Sequence, residues 1–275
     1  MRFGFVMPRG DARDAAELAA IAEDAGWDGF FVWESIWGVD AWMALAAAAA
    51  RTERIRLGTM LTPLPRKRPW EIAGQTATLD NLSGGRTILS VGLGAPHEGW
   101  RAFEPDPGRR TRAELLDEGL DVVTGLWAGQ PFRYQGRHYT VEPTEFVPPP
   151  PIVQRPRIPI WVVGGWPAPR SMARAARYDG WLPNIISEVR TPPGRPYPAE
   201  VAEATAWIRA HRAAAGLTMD GYDIVVEGTT EAGDTGTVEP WREAGATWWI
   251  EANWMVDEAG VQEYARTRLR AGPPQ

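Results

Sequence analysis

The sequence predicts an α/β fold, a closed (β/α)8 TIM barrel, on three observations. Short β-type apolar runs alternate with helical patterns eight times along the 275 residues, and strand–helix–strand crossovers imply parallel strands. Runs such as DGFFVW are almost continuously apolar, as a strand covered on both faces requires. The length suits one barrel of roughly 250 residues, so residues 1–275 are expected to form a single domain.

The elements follow in order. Arg2–Met7 reads as the first strand and residues 11–25 as a helix with Leu18, Ile21, Ala22 and Ala25 on one face, stopped by Gly26. Residues 28–33 form the second strand, and Asp40 can cap the helix AWMALAAAAA. The organising stretch is 54–95. Its runs IRLGTML and TILSVGL flank a helix that opens at Pro69, where a missing N–H costs nothing, and closes at Gly84 and Gly85. A helix over 112–127 follows. Residues 129–158 break the rhythm: FRYQGRHYTV reads as a hairpin about Gln135 and Gly136, and PPPP at 148–151 cannot continue a helix or central strand. This segment is expected to be an insertion over one barrel end. Strands at 158–163, 181–185, 222–227 and 247–251 complete the barrel, with helices near 167–178, 199–215, 239–244 and 257–270.

Composition narrows the function. There is no cysteine, so disulfides and thiolate chemistry are excluded. A net charge of −6 argues against a general nucleic-acid binder. With no secretory signal and no apolar run of about 18 residues, no membrane association is expected and the cytoplasm is the expected location. Only three histidines occur, without HExxH or His-x-His spacing, so no catalytic metal is expected. Fifteen tryptophans read either as packing or as walls for a planar ligand.

The stretch LGTMLTPLPRKRPWEIAGQTATLDNLSGGR, followed by SVGLG, resembles the bacterial luciferase-like superfamily. Weaker matches are RFGFVMP, IPIWVVGGWPAPRSMARAARYDGWLPN and GATWWIEA. The resemblance implies a (β/α)8 barrel, a flavin-type cofactor (FMN or the deazaflavin coenzyme F(420)), oxidoreductase or monooxygenase chemistry on a small organic substrate, and a homodimer.

Barrel enzymes place their chemistry at the C-terminal strand ends. After the fifth strand stand Gly164, Gly165 and Trp166, then a helix start with Arg170 and Arg174. Free N–H groups and glycine suit an anion there, and the resemblance implies the cofactor phosphate. An ordinary tight turn is the plain alternative. Gly92, Leu93 and Gly94 lack the third glycine of a dinucleotide fingerprint, and glycine there could let backbone approach a flat ring. At Thr59, Met60 and Leu61 the resemblance implies a non-proline cis peptide behind the cofactor ring, at Met60–Leu61. Glu34 and Ser35 occupy a place where many family members carry an acidic residue and a histidine. Ser35 cannot replace an imidazole. Glu34 could act as acid or base if desolvated, or be a bonded structural carboxylate. His97, beyond the fourth strand, is the histidine best placed for the site. Glu34, Glu227 and Glu251 at strand ends would also suit a glycosidase, and a non-catalytic flavin-binding barrel is a third reading.

Overall fold

The computed structural model describes residues 1–95, 99–143, 149–186, 196–234, 236–257 and 259–274. Its centre is a closed barrel built from β1 (Arg2–Met7), β2 (Gly29–Val32), β3 (Arg56–Thr59), β4 (Thr87–Val91), β7 (Ile160–Trp166), β8 (Gly180–Ile185), β9 (Asp223–Gly228) and β10 (Trp248–Glu251), closed by β1 on β10. All ladders of the barrel are parallel. Each strand feeds a helix: α1 (Ala12–Asp24), α2 (Ala41–Ala49), α3 (Pro69–Ser83), α4 (Arg109–Ala128), α5 (Pro169–Arg177), α6 (Pro198–Ala214), α7 (Glu239–Glu243) and α8 (Val261–Arg270). The expected (β/α)8 architecture is therefore present.

Local chemistry explains the helix ends. Asp11 caps α1 by accepting from the Arg13 and Asp14 backbone N–H groups, and Asp14 answers with its side chain. Asp40 accepts from Met43 N–H at 2.9 Å at the start of α2. Pro69 opens α3, and Gly84, at φ 69°, ends it in the left-handed region that favours glycine.

Two packing layers share the sheet. Outward side chains such as Phe5, Val32, Leu57, Leu89, Val162, Trp181 and Trp249 meet the helices. Inward ones, Val6, Phe31, Met60, Ile88, Trp161, Leu182, Val225, Trp248 and Ile250, fill the barrel. Phe31, Trp161 and Trp248 form a mutually packed triad in the lower barrel, with ring centroids 5.4 Å, 6.1 Å and 5.2 Å apart. The triad fits because inward positions opposite it are glycine. A Cβ on Gly29 would lie 2.8 Å from Phe31 and 2.9 Å from Trp248, and one on Gly4 2.8 Å from Phe31. Polar groups seal this end: Arg2 lies over the Trp248 ring at 5.5 Å, and Trp161 Nε1 donates to Asp223 at 3.2 Å. Burial pushes the Asp223 carboxyl above the usual range, against the donors and charge around it.

The LDNLSGGR segment lies at this same N-terminal end. Asp80, fully buried, accepts from Val153 N–H at 2.7 Å, Gln154 N–H at 3.1 Å and the Gln154 amide at 2.8 Å. Arg86 donates to Ala49, Thr52 and Ile55 carbonyls, the Thr52 hydroxyl and the Ser83 carbonyl. These bonds hold the chain entering β3 and β7.

The 129–158 segment divides into a hairpin and a return stretch. Its hairpin pairs β5 (Tyr134–Gln135) with β6 (Thr140–Val141), and Gly136 N–H donates to Tyr139 O. The segment's described return residues meet the N-terminal barrel end, where Val153 and Gln154 N–H donate to Asp80, whereas the hairpin itself lies elsewhere. It lies along α4, where Glu118 accepts from the N–H groups of Arg137, His138 and Tyr139 and Glu114 contacts His138. The physical reason is that α4 presents carboxylates matched to the hairpin's free N–H groups.

Two stability tests follow. Gly29→Ala should overpack the triad and cost about 1–3 kcal/mol, read by denaturant unfolding. Asp80→Ala leaves buried donors without an acceptor and should cost about 3 kcal/mol, with faster proteolysis in the 149–158 return segment.

Candidate functional site

With the lower barrel filled, the C-terminal mouth is where a ligand can enter. Strand alternation decides which side chains face it. Above the triad the inward positions are Met60 on the β3 side, Ser90 and Gly92 on the β4 side, Val163 and Gly165 on β7, Leu182 and Asn184 on β8, Glu227 on β9, and Ala252 and Trp254 beyond β10. Trp33 and Trp254 meet edge to face at 6.3 Å over this opening. The surface is small and apolar, with a few polar groups, as ligand sites are. Ser90 Oγ is buried there and bonded to none of the described groups. A cleft of about 350 Å³ also opens at the opposite end, by Arg2, Trp27, Arg54 and Arg56. Its carboxylates are committed to backbone, Glu23 to Glu53, Arg54 and Ile55 N–H and Asp28 to Phe3 N–H, so we place the site at the mouth.

The sequence candidates sort unequally. Met60, Gly92 and Gly165 face the mouth. The Met60–Leu61 peptide is cis, at the bond named from the sequence. A Cβ on Gly92 would come within 3.1 Å of Leu61 and 3.2 Å of Val163. Leu93 packs into the helix-side core, so only its backbone is available, and Arg112 from α4 grips the Leu93 and Gly94 carbonyls at 3.1 Å and 2.7 Å. Thr59 lies on the outer face of β3 between the inward Gly58 and Met60, and its hydroxyl meets that of Thr62 at 2.9 Å. His97 lies outside the described residues.

Gly164 and Gly165 are not in the turn expected. Strand β7 runs three residues further than the apolar run, because Gly164, Gly165 and Trp166 keep pairing with Pro183, Asn184 and Ile185. Gly164 faces the helices, with Trp181 Nε1 donating to its carbonyl at 2.9 Å. Trp166 also packs on the helix side. Gly165 N–H donates to Ser171 Oγ at 2.9 Å, leaving the Ser171 proton free to be donated. Pro167 and Pro169 contribute no N–H, so the first turn of α5 offers those of Arg170 and Ser171. Arg170 is exposed, whereas Arg174 is turned away into a pair with Asp117 at 2.5 Å.

The acidic candidates separate as well. Glu251 faces outward and is fully buried: Thr230 N–H and hydroxyl donate to it at 2.9 Å and 2.6 Å, Tyr264 donates at 3.3 Å, and Arg268 stands 3.6 Å away. It is a structural carboxylate of the β10–α8 layer, so the facing carboxylates of a glycosidase do not form from it. Glu34 is buried, accepting from Thr62 Oγ at 2.5 Å and paired with Lys67 Nζ at 2.5 Å. Ser35 is half-buried beside Gly38. Sequence reasoning missed Trp254 and Lys67. The first had a signal, since 248, 250, 252 and 254 continue one period-2 face; the second had none, because Lys67 lies in a loop. Among the described residues no group of His, Asp and Glu could hold a metal, and no helix is long and apolar enough to cross a membrane.

Comparison with known proteins agrees with this geometry. The family model for luciferase-like monooxygenases matches residues 1–273. A putative coenzyme F(420)-dependent oxidoreductase of Mycobacterium tuberculosis is 41% identical over 183 residues, covering 62% of this chain and 51% of that protein. The chain thus spans about half the length of the curated relatives it matches. Among solved structures, a monooxygenase from Streptomyces bottropensis aligns with TM-score 0.70 at 25% identity, over 98% of this chain and 80% of that one. The coenzyme F(420)-dependent tetrahydromethanopterin reductase of Methanopyrus kandleri aligns with TM-score 0.77 at 18% identity, over 99% and 98%, a likeness of fold. On the match across residues 1–273, the chain belongs to the luciferase-like monooxygenase family.

Proposed function

We propose that this protein is an oxidoreductase that seats a flavin-type cofactor, FMN or the deazaflavin coenzyme F(420), at the barrel mouth and acts on a small organic substrate. The observation that carries the reading is the inward glycine of β4, Gly92, among inward Met60, Val163, Leu182 and Ala252, with Asn184 on β8 and Glu227 on β9 as polar groups of the mouth. The apolar members give a surface on which a flat ring system can lie, with the buried Ser90 hydroxyl still able to bond. The name of the 41%-identical relative favours the deazaflavin of the two.

When bound, such a cofactor supplies the redox step, as a hydride carrier or, for FMN, by activating oxygen. The chain's part is to orient and enclose. Trp33 and Trp254 would shield the ring from water, and Met60 would support it from the β3 side. At the other end, the Ser171 hydroxyl and the first turn of α5 would hold the cofactor phosphate, with Gly165 leaving its approach open and Arg170 adding charge. His97 and Ser35 are candidates for contact with the reacting ring. The proposal includes a single domain with 129–158 as its insertion, a homodimer, and a cytoplasmic location.

Two measurements test it. Fluorescence titrations with FMN and with the deazaflavin should show saturation by one of them with Kd in the micromolar range or below; no saturation with either rejects the reading. Gly165→Asp places bulk and like charge in the anion's path and should weaken cofactor binding by about 2–4 kcal/mol, the worth of charge-assisted hydrogen bonds lost. A folded variant with normal affinity moves the phosphate to another loop.

A further inference from the structure

The wall formed by residues 59–62 is held from behind. Thr62 is fixed through its backbone to β4: its N–H donates to Ser90 O at 2.9 Å and its carbonyl accepts from Gly92 N–H at 3.1 Å. Its side chain is fixed to the end of β2, because Thr62 Oγ donates to Glu34 Oε2 at 2.5 Å. A hydroxyl has one proton. That proton is spent on Glu34, so the 2.9 Å contact between the Thr59 and Thr62 hydroxyls must be donated by Thr59. Lys67 Nζ occupies the other carboxylate oxygen at 2.5 Å. The result is a chain of fixed polarity, Thr59 to Thr62 to Glu34, closed by the ammonium of Lys67.

The chain lies on the helix side of β3. Thr59 stands between Gly58 and Met60; Met60 belongs to the barrel interior, and a Cβ on Gly58 would approach Phe31. The Glu34 carboxylate is therefore behind the wall, both of its oxygens already have donors, and the residue is 7% exposed. A buried carboxylate is tolerable only when paired and hydrogen-bonded, and Lys67 supplies the pairing.

We propose that Glu34 is a positioning residue: held by Lys67, it fixes Thr62 and so sets the Met60 and Leu61 wall against which the cofactor ring packs. This rests on the flavin-type reading of the mouth. It differs from acid–base catalysis in one testable respect. In Glu34→Gln the amide oxygen can accept from Lys67 while its NH2 donates to Thr62; Thr62 then donates to Thr59, and Thr59 to Ser90 O, now 3.5 Å away. The chain reverses and stays complete, so glutamine should rescue a positioning role and cannot rescue a proton donor.

The test uses the full-length chain as wild type, Glu34→Gln, Glu34→Ala and Thr62→Val. In cofactor-free protein, amide exchange at residues 59–62 should rise about tenfold or more in Glu34→Ala and Thr62→Val, the size of one lost hydrogen bond to a charged group, and stay within about threefold of wild type in Glu34→Gln. Cofactor Kd should weaken in the same order and by similar factors. The double variant Glu34→Ala/Thr62→Val should be no worse than either single change, since both break one chain. The proposal is overturned if Glu34→Gln loses turnover as severely as Glu34→Ala while exchange and cofactor affinity stay at wild-type values. It is also overturned if the variants lose only thermal stability, with exchange at 59–62 unchanged. If wild type binds neither cofactor, the flavin-type reading fails, and the exchange comparison still decides whether Glu34 fixes the segment.

Discussion

The packing of Phe31, Trp161 and Trp248 inside the barrel is the constraint on which the rest depends. Three large rings can share one cross-section only because β1 and β2 present glycine opposite them. Aromatic pairs of this kind add to an already large area term, so the lower barrel is a dense core. It follows that the interior is accessible from one end alone. Above the rings Gly92, Gly165, Ser90 and Ala252 are among the inward residues, and those small side chains help to open the mouth.

The motif that best marks the family does not line that mouth. Asp80 and Arg86 of LDNLSGGR are buried at the N-terminal end, where each gathers several backbone partners from segments distant in sequence. A charged group placed there is tolerated because its hydrogen-bonding capacity is filled. Their role is to hold the chain as it enters β3 and β7. A motif can therefore identify a fold securely while its residues stand far from the chemistry, and function has to be argued from the site.

At the mouth, the barrel's alternation does the sorting. Of neighbours in the chain such as Thr59 and Met60, or Gly165 and Trp166, one faces the ligand space and the other the helices. Residues on the outer face are still coupled to the site through hydrogen bonds, as Glu34 and Thr62 are to the Met60 wall. The same logic removes Glu251, whose bonds to Thr230 and Tyr264 tie it to the helix layer.

Much of the fold was legible in the sequence because it rests on local rules. Asp11, Asp40, Pro69 and Gly84 each end or begin a helix for reasons contained within a few residues, and eight alternations of apolar run and helix leave few topologies besides a closed parallel barrel. The family resemblance located the cis bond at Met60–Leu61. The tertiary structure alone decided what depends on partners distant in the chain. The glycines of β7 stay in the strand because β8 continues to pair with them. The 134–141 hairpin follows α4 because Glu118 captures its backbone N–H groups and Glu114 its Arg137 and His138 side chains. Glu34 is fixed by Lys67 and Thr62, which lie about thirty residues further on. Local spacing carries no information about such contacts, since closing a long loop leaves its partner free until the whole barrel has formed.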